Sequence, residues 1–258
     1  MRALLLGGFA RAAGIDCSEA EYALDGYASL DAFFVRRLRP GARTWPEDPS
    51  VIAAPTDGVL GACGDIEDGT LVQAKGLHYS AAELLEDPEE AARFTGGAFC
   101  TMYLSPRHYH RIHAPATGSI VGATHVPGAL LPVNPPALVR FPRLFTRNER
   151  VICVMDGPGC RIAVVAVGAI NVGRISVAFD AAWAGPASPA GAKHRPGVSG
   201  GARRYDPPLA VRCGEEIMAF HLGSTVVLLL GPGGPPIRPG LEPGSEIRLG
   251  AALTRATL

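Results

Sequence analysis

Short runs of apolar and β-branched residues, most of them bounded by Gly, Pro or Asp, recur along most of the chain. Such runs predict β-strands. They lie at residues 59–63, 98–104, 120–126, 151–155, 161–167, 172–179 and 225–230. Because no long helical pattern separates them, we expect antiparallel or barrel-like β structure rather than a βαβ sheet.

Helical patterns are confined to short stretches near the N-terminus and around residue 80. Three candidate N-caps begin these stretches: Ser18, Ser29 and Ser80. The first and third are followed three residues later by glutamate, which completes a capping box. The second helix is expected to run through Leu38 and end at Pro40-Gly41, and the third to be interrupted by Pro88. The predicted fold is therefore α+β and predominantly β: an antiparallel, barrel-sandwich-like core with short N-terminal helices. We divide the chain into an N-terminal helical segment, residues 1–45, and a β-rich domain, residues 46–258.

Two further stretches have a distinct composition. Residues 184–208 consist mainly of Gly, Pro, Ala, Ser and Arg, which predicts a long surface loop. The apolar stretch at residues 3–10 is much shorter than the ~20 residues of a membrane span, and it lacks a small-residue cleavage site. We therefore expect neither a transmembrane helix nor a signal peptide, and favour an ordinary first helix over a weak interfacial anchor flanked by Arg2 and Arg11.

Composition narrows the functional classes. Lys plus Arg and Asp plus Glu both total 24, so no basic field indicates a nucleic-acid partner. The 32 Gly and 23 Pro residues imply many turns. The six cysteines are scattered without a C-x-x-C pair, which is typical of reduced thiols in the cytoplasm.

Candidate chemistry lies in three turn-flanked motifs. Asp57 stands in Ala-Pro-Thr-Asp-Gly, His110 and His113 in Tyr-His-Arg-Ile-His-Ala-Pro, and Ser224 at the start of the most apolar strand. Aspartate, histidine and serine are the components of an activated-serine triad. The two imidazoles would point to opposite sides of an extended segment but could converge in a turn. A metal site is not expected, because H-x-x-H lacks further ligands at short spacing.

Several motifs follow one another in a distinctive order. They include Phe33-Phe34-Val35-Arg36, Pro40-Gly41-Ala42-Arg43, Ala54-Pro55-Thr56-Asp57-Gly58, Lys75-Gly76, Tyr109-His110-Arg111-Ile112-His113, Asn148-Glu149-Arg150 and Leu222-Gly223-Ser224-Thr225. Each is weakly specific alone. Together and in this order they resemble the phosphatidylserine decarboxylase family, from about Phe33 to about Leu230.

The resemblance implies a proenzyme that cleaves itself between Gly223 and Ser224. On this basis Asp57 orients His113, and His113 removes the proton of Ser224, whose oxygen attacks the Gly223 carbonyl. Elimination and hydrolysis then leave a pyruvoyl group in place of Ser224. The β-rich domain is thus expected to be catalytic and divided into a β chain of residues 1–223 and an α chain of residues 224–258, which stay associated.

The implied reaction converts phosphatidylserine to phosphatidylethanolamine and carbon dioxide. The pyruvoyl group would form a Schiff base with the substrate amine and accept the electrons released with carbon dioxide, so neither pyridoxal phosphate nor a metal is expected. His110 and His113 are both candidates for protonating the carbanion, because the pKa of histidine lies near the working pH. We assign self-cleavage to His113 and decarboxylation to His110. Lys75 and Tyr79 are candidates for contact with the substrate phosphate or carboxylate.

A lipid substrate implies contact with a membrane surface. The candidate is the N-terminal segment, where Phe33 and Phe34 accompany Arg36. We therefore expect a peripheral protein at the cytoplasmic face of a membrane. The oligomeric state stays open, and a homodimer would fit the family.

Two other functions compete with this interpretation. An Asp-His-Ser hydrolase would use the same residues on an external ester or amide and keep its chain intact, although the Gly-x-Ser-x-Gly elbow is missing. A non-catalytic β-rich module would bind a lipid surface or a partner, since fold alone does not determine function.

Overall fold

The computed structural model describes residues 1–72, 78–170, 175–184, 201–221 and 224–256. Its strands are β1 (Gly58–Glu67), β2 (Thr70–Val72), β3 (His78–Ser80), β4 (Ala98–Leu104), β5 (Arg111–His113), β6 (Gly118–Val126), β7 (Arg150–Asp156), β8 (Arg161–Val167), β9 (Ile175–Val177), β10 (Gly201–Val211), β11 (Glu216–Phe220), β12 (Ser224–Leu230) and β13 (Glu246–Ile247). Its helices are α1 (Arg2–Ala13), α2 (Leu30–Phe34), α3 (Ala81–Leu85), α4 (Pro88–Ala92), α5 (Pro135–Arg140), α6 (Leu144–Arg147) and α7 (Ala181–Ala184). The predicted α+β, β-dominated fold is confirmed.

Antiparallel pairing organises these strands into a large and a small sheet. The large sheet has the order β10-β6-β7-β8-β12-β4-β1-β2-β3, with β13 added beside β1. The small sheet has the order β5-β11-β9. Neither sheet closes on itself, so the barrel part of the prediction is wrong.

Strand β12 lies in the interior of the large sheet. It pairs with β4 on one side and β8 on the other, and all its residues from Ser224 to Leu230 are buried. A continuous apolar run is what a strand covered on both faces requires. The predicted serine therefore begins the most deeply buried strand.

The predicted helix starts are partly confirmed. The hydroxyl oxygens of Ser29 and Ser80 accept backbone N–H bonds and cap α2 and α3. Helix α2 ends at Phe34, earlier than the predicted Leu38. Pro88 begins α4 behind the N-cap Asp87 instead of interrupting a helix, because proline needs no N–H in the first turn.

The first capping box is wrong. Only a single 3-10 turn, Cys17–Glu19, forms there, and the side chain of Asp16 caps it by accepting the N–H of Ser18. An acceptor before the turn satisfies the free donors, so the serine is not needed as the cap.

The predicted surface loop at residues 184–208 is wrong at its C-terminal end. Residues from Gly201 onward form β10, which pairs along β6 at the edge of the large sheet. Arg203 and Arg204 can stand in solvent there because backbone hydrogen bonds hold an edge strand without an apolar pattern. Residues 185–200 lie outside the described part of the chain.

The N-terminal segment has a small core of its own. Leu6 and Ala10 of α1 pack there with Tyr27 and Phe33. Phe33 and Phe34 are buried, so the prediction that they contact a membrane is wrong. Exposed apolar side chains in this segment include Met1, Leu4 and Leu5. The division at residue 45 stays a prediction.

The prediction that the cysteines are reduced thiols is wrong for one pair. Strand pairing places Cys63 of β1 opposite Cys100 of β4, and a disulfide joins them. Scattered spacing contains no signal for such a pair, because only the register of two distant strands brings the cysteines together. Cys17, Cys153, Cys160 and Cys213 are free thiols.

Candidate active site

Ser224 is a buried serine whose side-chain oxygen has no hydrogen-bond partner in the described chain. It pairs with Leu104 at the end of β4. A buried hydroxyl without a partner costs free energy and is uncommon in native proteins unless it has a function. The preceding Gly223, the other half of the predicted cleavage site, lies outside the described residues.

His110 is held as a neutral base immediately before β5. Its Nδ1 lies 2.8 Å from the carbonyl oxygen of His108, so Nδ1 carries the hydrogen and Nε2 keeps its lone pair. Nε2 has no partner in the described part of the chain. Burial lowers the pKa of His110 to about 3, and the nearby Arg36 guanidinium acts in the same direction. The ring packs 4.1 Å from that of Phe34, measured between centroids.

His113 is oriented by a backbone carbonyl and a phenol. Its Nδ1 lies 2.7 Å from the carbonyl oxygen of Gly214, and its Nε2 lies 3.2 Å from the hydroxyl of Tyr109. Burial raises the pKa of Tyr109, so the phenol keeps its proton and can donate to Nε2. Burial also lowers the pKa of His113. The two histidines thus bind different carbonyls, and the Nε2 of each is the basic nitrogen.

Gly214, whose carbonyl oxygen contacts His113, has a left-handed backbone conformation that favours glycine. Its φ is +84°, and a Cβ atom there would lie 2.7 Å from the ring of Trp45. The indole also lies 6.0 Å from the His113 ring, between centroids. Neither residue is predicted from the sequence, because their role depends on close approach of distant segments.

Asp57 lies immediately before β1 and is bound by an arginine. Its carboxylate accepts bonds of 3.1 and 2.6 Å from Arg43 and a further bond of 2.8 Å from the backbone N–H of Leu249. Within the described chain, no hydrogen bond joins Asp57 to His113. The sequence prediction missed the Arg43 contact, although the Pro-Gly-Ala-Arg motif was available as a signal.

Tyr79, a predicted substrate contact, lines an apolar cavity of about 220 Å³. Thr225, the residue after Ser224, lines the same cavity, as do Tyr103, Val139 and Phe145. Alternation along β12 places the Ser224 side chain on the opposite face of the sheet from Thr225. The other predicted contact, Lys75, lies outside the described residues.

The depressed pKa values predict loss of stability in acid. Between about pH 6.5 and pH 3 the unfolded His110 imidazole binds a proton that the folded one does not. The unfolded state therefore gains protons, and the free energy of unfolding should fall as the pH falls below 6.5. From pH 7 to pH 5 we expect His110 to contribute a loss of about 2 kcal/mol.

Urea titrations at the two pH values measure this loss. The matched variant His110→Gln should lose less stability over the same range. An equal loss in both proteins would show that His110 is not the group responsible.

A buried serine and two histidines held as neutral bases are groups that enzymes use in catalysis, and no hydrogen bond joins Ser224 to either histidine among the described residues. The profile of the family described as phosphatidylserine decarboxylase matches residues 30–255. The phosphatidylserine decarboxylase proenzyme of Anaeromyxobacter sp. (strain K) is 44% identical over 253 residues, which cover 98% of this chain and 87% of that protein. Those of Methylibium petroleiphilum and Ectopseudomonas mendocina are 44% and 40% identical, covering 97% and 98% of this chain and 86% and 87% of theirs.

The chain belongs to the phosphatidylserine decarboxylase family. This membership confirms the predicted family and the prediction of an enzyme. It also supports the assignment to decarboxylases, and hence to lyases, made as zymogens.

None of the helices in the described residues combines the length and the apolar character that a bilayer crossing needs.

Proposed function

We propose that this protein is a self-processing, pyruvoyl-dependent decarboxylase that converts phosphatidylserine to phosphatidylethanolamine and carbon dioxide. The observation that carries the proposal is Ser224: a buried hydroxyl, without a partner among the described residues, at the start of an interior strand and directly after a glycine. Such a hydroxyl is not committed to a structural hydrogen bond. It is therefore available to attack the preceding peptide.

Self-cleavage needs a base that takes the serine proton, because a hydroxyl is a weak nucleophile. We assign this role to Nε2 of His113, whose bond to Tyr109 is long, at 3.2 Å, and can be exchanged. Asp57 acts on the ring as a nearby negative charge, which raises the pKa of His113 against the effect of burial. The Gly214 carbonyl supplies the orientation that the sequence assigned to Asp57.

The atoms of the cleavage balance without a co-reactant other than water. The Ser224 oxygen bonds to the Gly223 carbonyl carbon and the peptide C–N bond breaks, which leaves an ester and a free amine. Elimination then transfers the Cα proton of residue 224 to a base and breaks the Cβ–O bond, which releases the carboxylate of residue 223 and leaves dehydroalanine. Water converts dehydroalanine to the pyruvoyl group and ammonia leaves.

Burial of β12 at Ser224 fits a small uncharged group of this kind. Nε2 of His110 has no partner among the described residues, and we propose that it faces the group. When formed, the group supplies the electron sink for loss of carbon dioxide. We propose that Nε2 of His110 delivers the proton that the substrate carbon takes up after carbon dioxide leaves. The negative charges of a bound substrate would favour the protonated imidazole and so oppose the effect of burial on the pKa of His110.

The two chains formed by cleavage have contacts that would keep them together. Strand β12 of the α chain pairs with β4 and β8 of the β chain. Asp57 accepts the Leu249 N–H, and Glu246 pairs with Arg107 and His108. Separating the chains would leave the buried backbone groups of β12 without their hydrogen-bond partners on β4 and β8.

The apolar cavity beside Thr225 is proposed to take part of an acyl chain. Its wall is mainly apolar, and Tyr79 and Phe145 pack there edge to face with centroids 5.6 Å apart. Exposed Leu4 and Leu5 of α1 are proposed to touch the cytoplasmic face of a membrane. Lys75 keeps its proposed role at the headgroup.

Mass spectrometry of the purified protein tests the proposal. We expect residues 1–223 and 224–258 as separate chains, with pyruvoyl at the start of the second, and release of carbon dioxide from phosphatidylserine vesicles.

His113→Ala should stay uncleaved, whereas His110→Gln should cleave and lose decarboxylation by at least ~100-fold. Efficient cleavage of His113→Ala would remove His113 from the role of base. An intact wild-type chain would overturn the proposal.

A smaller apolar cavity beside Thr225 should slow the reaction of long-chain substrates more than that of short-chain substrates. Val139 lines the cavity and is 55% exposed, so Val139→Trp can fold and still reduce the space. We expect kcat/KM to fall about 10-fold for a long-chain phosphatidylserine and much less for the dihexanoyl form, because a few buried methylenes contribute 1–3 kcal/mol. The exposed substitution Arg255→Trp is the control. Equal effects on both substrates would place the acyl chain elsewhere.

A further inference from the structure

His221 is anchored at both ring nitrogens just before the proposed cleavage site. Its Nδ1 lies 3.0 Å from a carboxylate oxygen of Asp31 in α2, and its Nε2 lies 3.4 Å from the hydroxyl of Ser176 in β9. A nitrogen that faces a carboxylate oxygen must carry a hydrogen. The imidazole thus joins the N-terminal segment to the small sheet.

The position of His221 in the chain gives this contact its importance. Strand β11 of the small sheet ends at Phe220, and β12 of the large sheet begins at Ser224. Phe220 is fixed by its N–H bond of 2.9 Å to the His110 carbonyl, and Ser224 is fixed by pairing with β4. The bond that the proposed function breaks lies in the short connection between these fixed strands.

Nucleophilic attack within a chain depends on how closely the reacting atoms are held. The serine oxygen and the carbonyl carbon must stay at about 3–3.5 Å, and a displacement of 1 Å can slow a reaction ~100-fold. Pairing of β12 secures the serine side of the bond. On the upstream side, His221 is the last residue that the structure describes before Ser224. The His221 side chain is largely buried, at 11% exposed, whereas the side chain of its partner Asp31 is 55% exposed.

We propose that His221, held by Asp31, is a positioning residue for self-cleavage. This proposal rests on the proposed function, because it concerns the peptide bond that self-cleavage breaks. Its side chain anchors the strand that leads into the scissile bond, so that the carbonyl meets the Ser224 hydroxyl. The same contact ties α2, part of the N-terminal helical segment, to the cleavage site.

The rate of self-cleavage during cell-free synthesis, followed by gel and mass spectrometry, tests this inference. We expect His221→Leu and Asp31→Asn each to slow cleavage about 10-fold or more. The double variant should be no slower than His221→Leu, because both changes remove one interaction. Thermal stability should change little, since Asp31 is 55% exposed and a contact with an exposed carboxylate contributes little to it.

His221→Lys is the rescue variant. Its ammonium group can reach the Asp31 carboxylate, so cleavage should return to near the wild-type rate. Asp25→Asn, a change of an aspartate elsewhere in the same segment, is the matched control and should cleave normally. Once cleaved, every variant should decarboxylate as fast per pyruvoyl group as the wild type.

The outcomes separate this inference from the proposed function. Wild-type rates in His221→Leu, or a His221→Lys variant as slow as His221→Leu, would overturn the positioning role while the decarboxylase stands. A wild-type chain that never cleaves would overturn both.

Discussion

Ser224→Ala is expected to leave the protein as one polypeptide of 26.9 kDa, the mass of the whole chain, without decarboxylase activity. A methyl group can neither attack the preceding carbonyl nor be converted to a pyruvoyl group. The variant should nevertheless fold, because the buried Ser224 hydroxyl has no partner in the part of the chain that the structure describes, and its removal leaves no group there unsatisfied. Intact mass, a decarboxylation assay and a thermal melt measure the three effects together.

A second serine that follows a glycine provides the control. Ser119 stands after Gly118 in β6, so Ser119→Ala changes the same dipeptide away from the proposed site. It should yield both chains and normal turnover. Two fragments from Ser224→Ala would move the cleavage to another bond, and an active, uncleaved variant would refute the pyruvoyl chemistry.

Arg150→Met is expected to lower the free energy of unfolding by about 3–5 kcal/mol, because each buried carbonyl left without its donor costs about 1–3 kcal/mol. The guanidinium is 1% exposed and donates to the carbonyl oxygens of Leu84, Thr146, Asn148 and Glu83. Methionine fills a similar volume but leaves these acceptors without donors. The loss should loosen α3 and α6 from the start of β7.

Urea unfolding in the Ser224→Ala background measures this effect, because an uncleaved chain can refold as one molecule. Arg203→Met is the control, since Arg203 is 49% exposed and its pair with Asp180 lies at the surface. That change should cost less than about 1 kcal/mol. Similar losses in both variants would show that the buried acceptors find other donors.

Local sequence signals were sufficient to predict elements whose formation depends on neighbouring residues. The apolar runs at residues 98–104 and 161–167 coincide with β4 and β8, and Ser29 and Ser80 act as N-caps. Edge strand β10 was missed because its pairing partner, rather than its own polar sequence, makes it a strand. The open sheet was missed because strand signals do not specify whether the first and last strands meet.

The candidate site shows the same limit. The order of motifs singled out Ser224, His110, His113 and Asp57, and the family to which the chain belongs. It did not indicate that Arg43 binds the Asp57 carboxylate, nor that Gly214 orients His113. These contacts join residues far apart in the chain, so no spacing encodes them.

By itself, the sequence determined the chemical groups that this protein can use and the β-rich class of its fold, because residue types and hydrophobic periodicity are properties of neighbouring positions. Only the tertiary structure decided which partner each group has: a carbonyl for each histidine, Arg43 for Asp57 and Asp31 for His221, while the Ser224 hydroxyl has none among the described residues. Those partners set charge, tautomer and orientation, and they follow from the packing of distant segments in a buried interior where water cannot substitute for a missing contact.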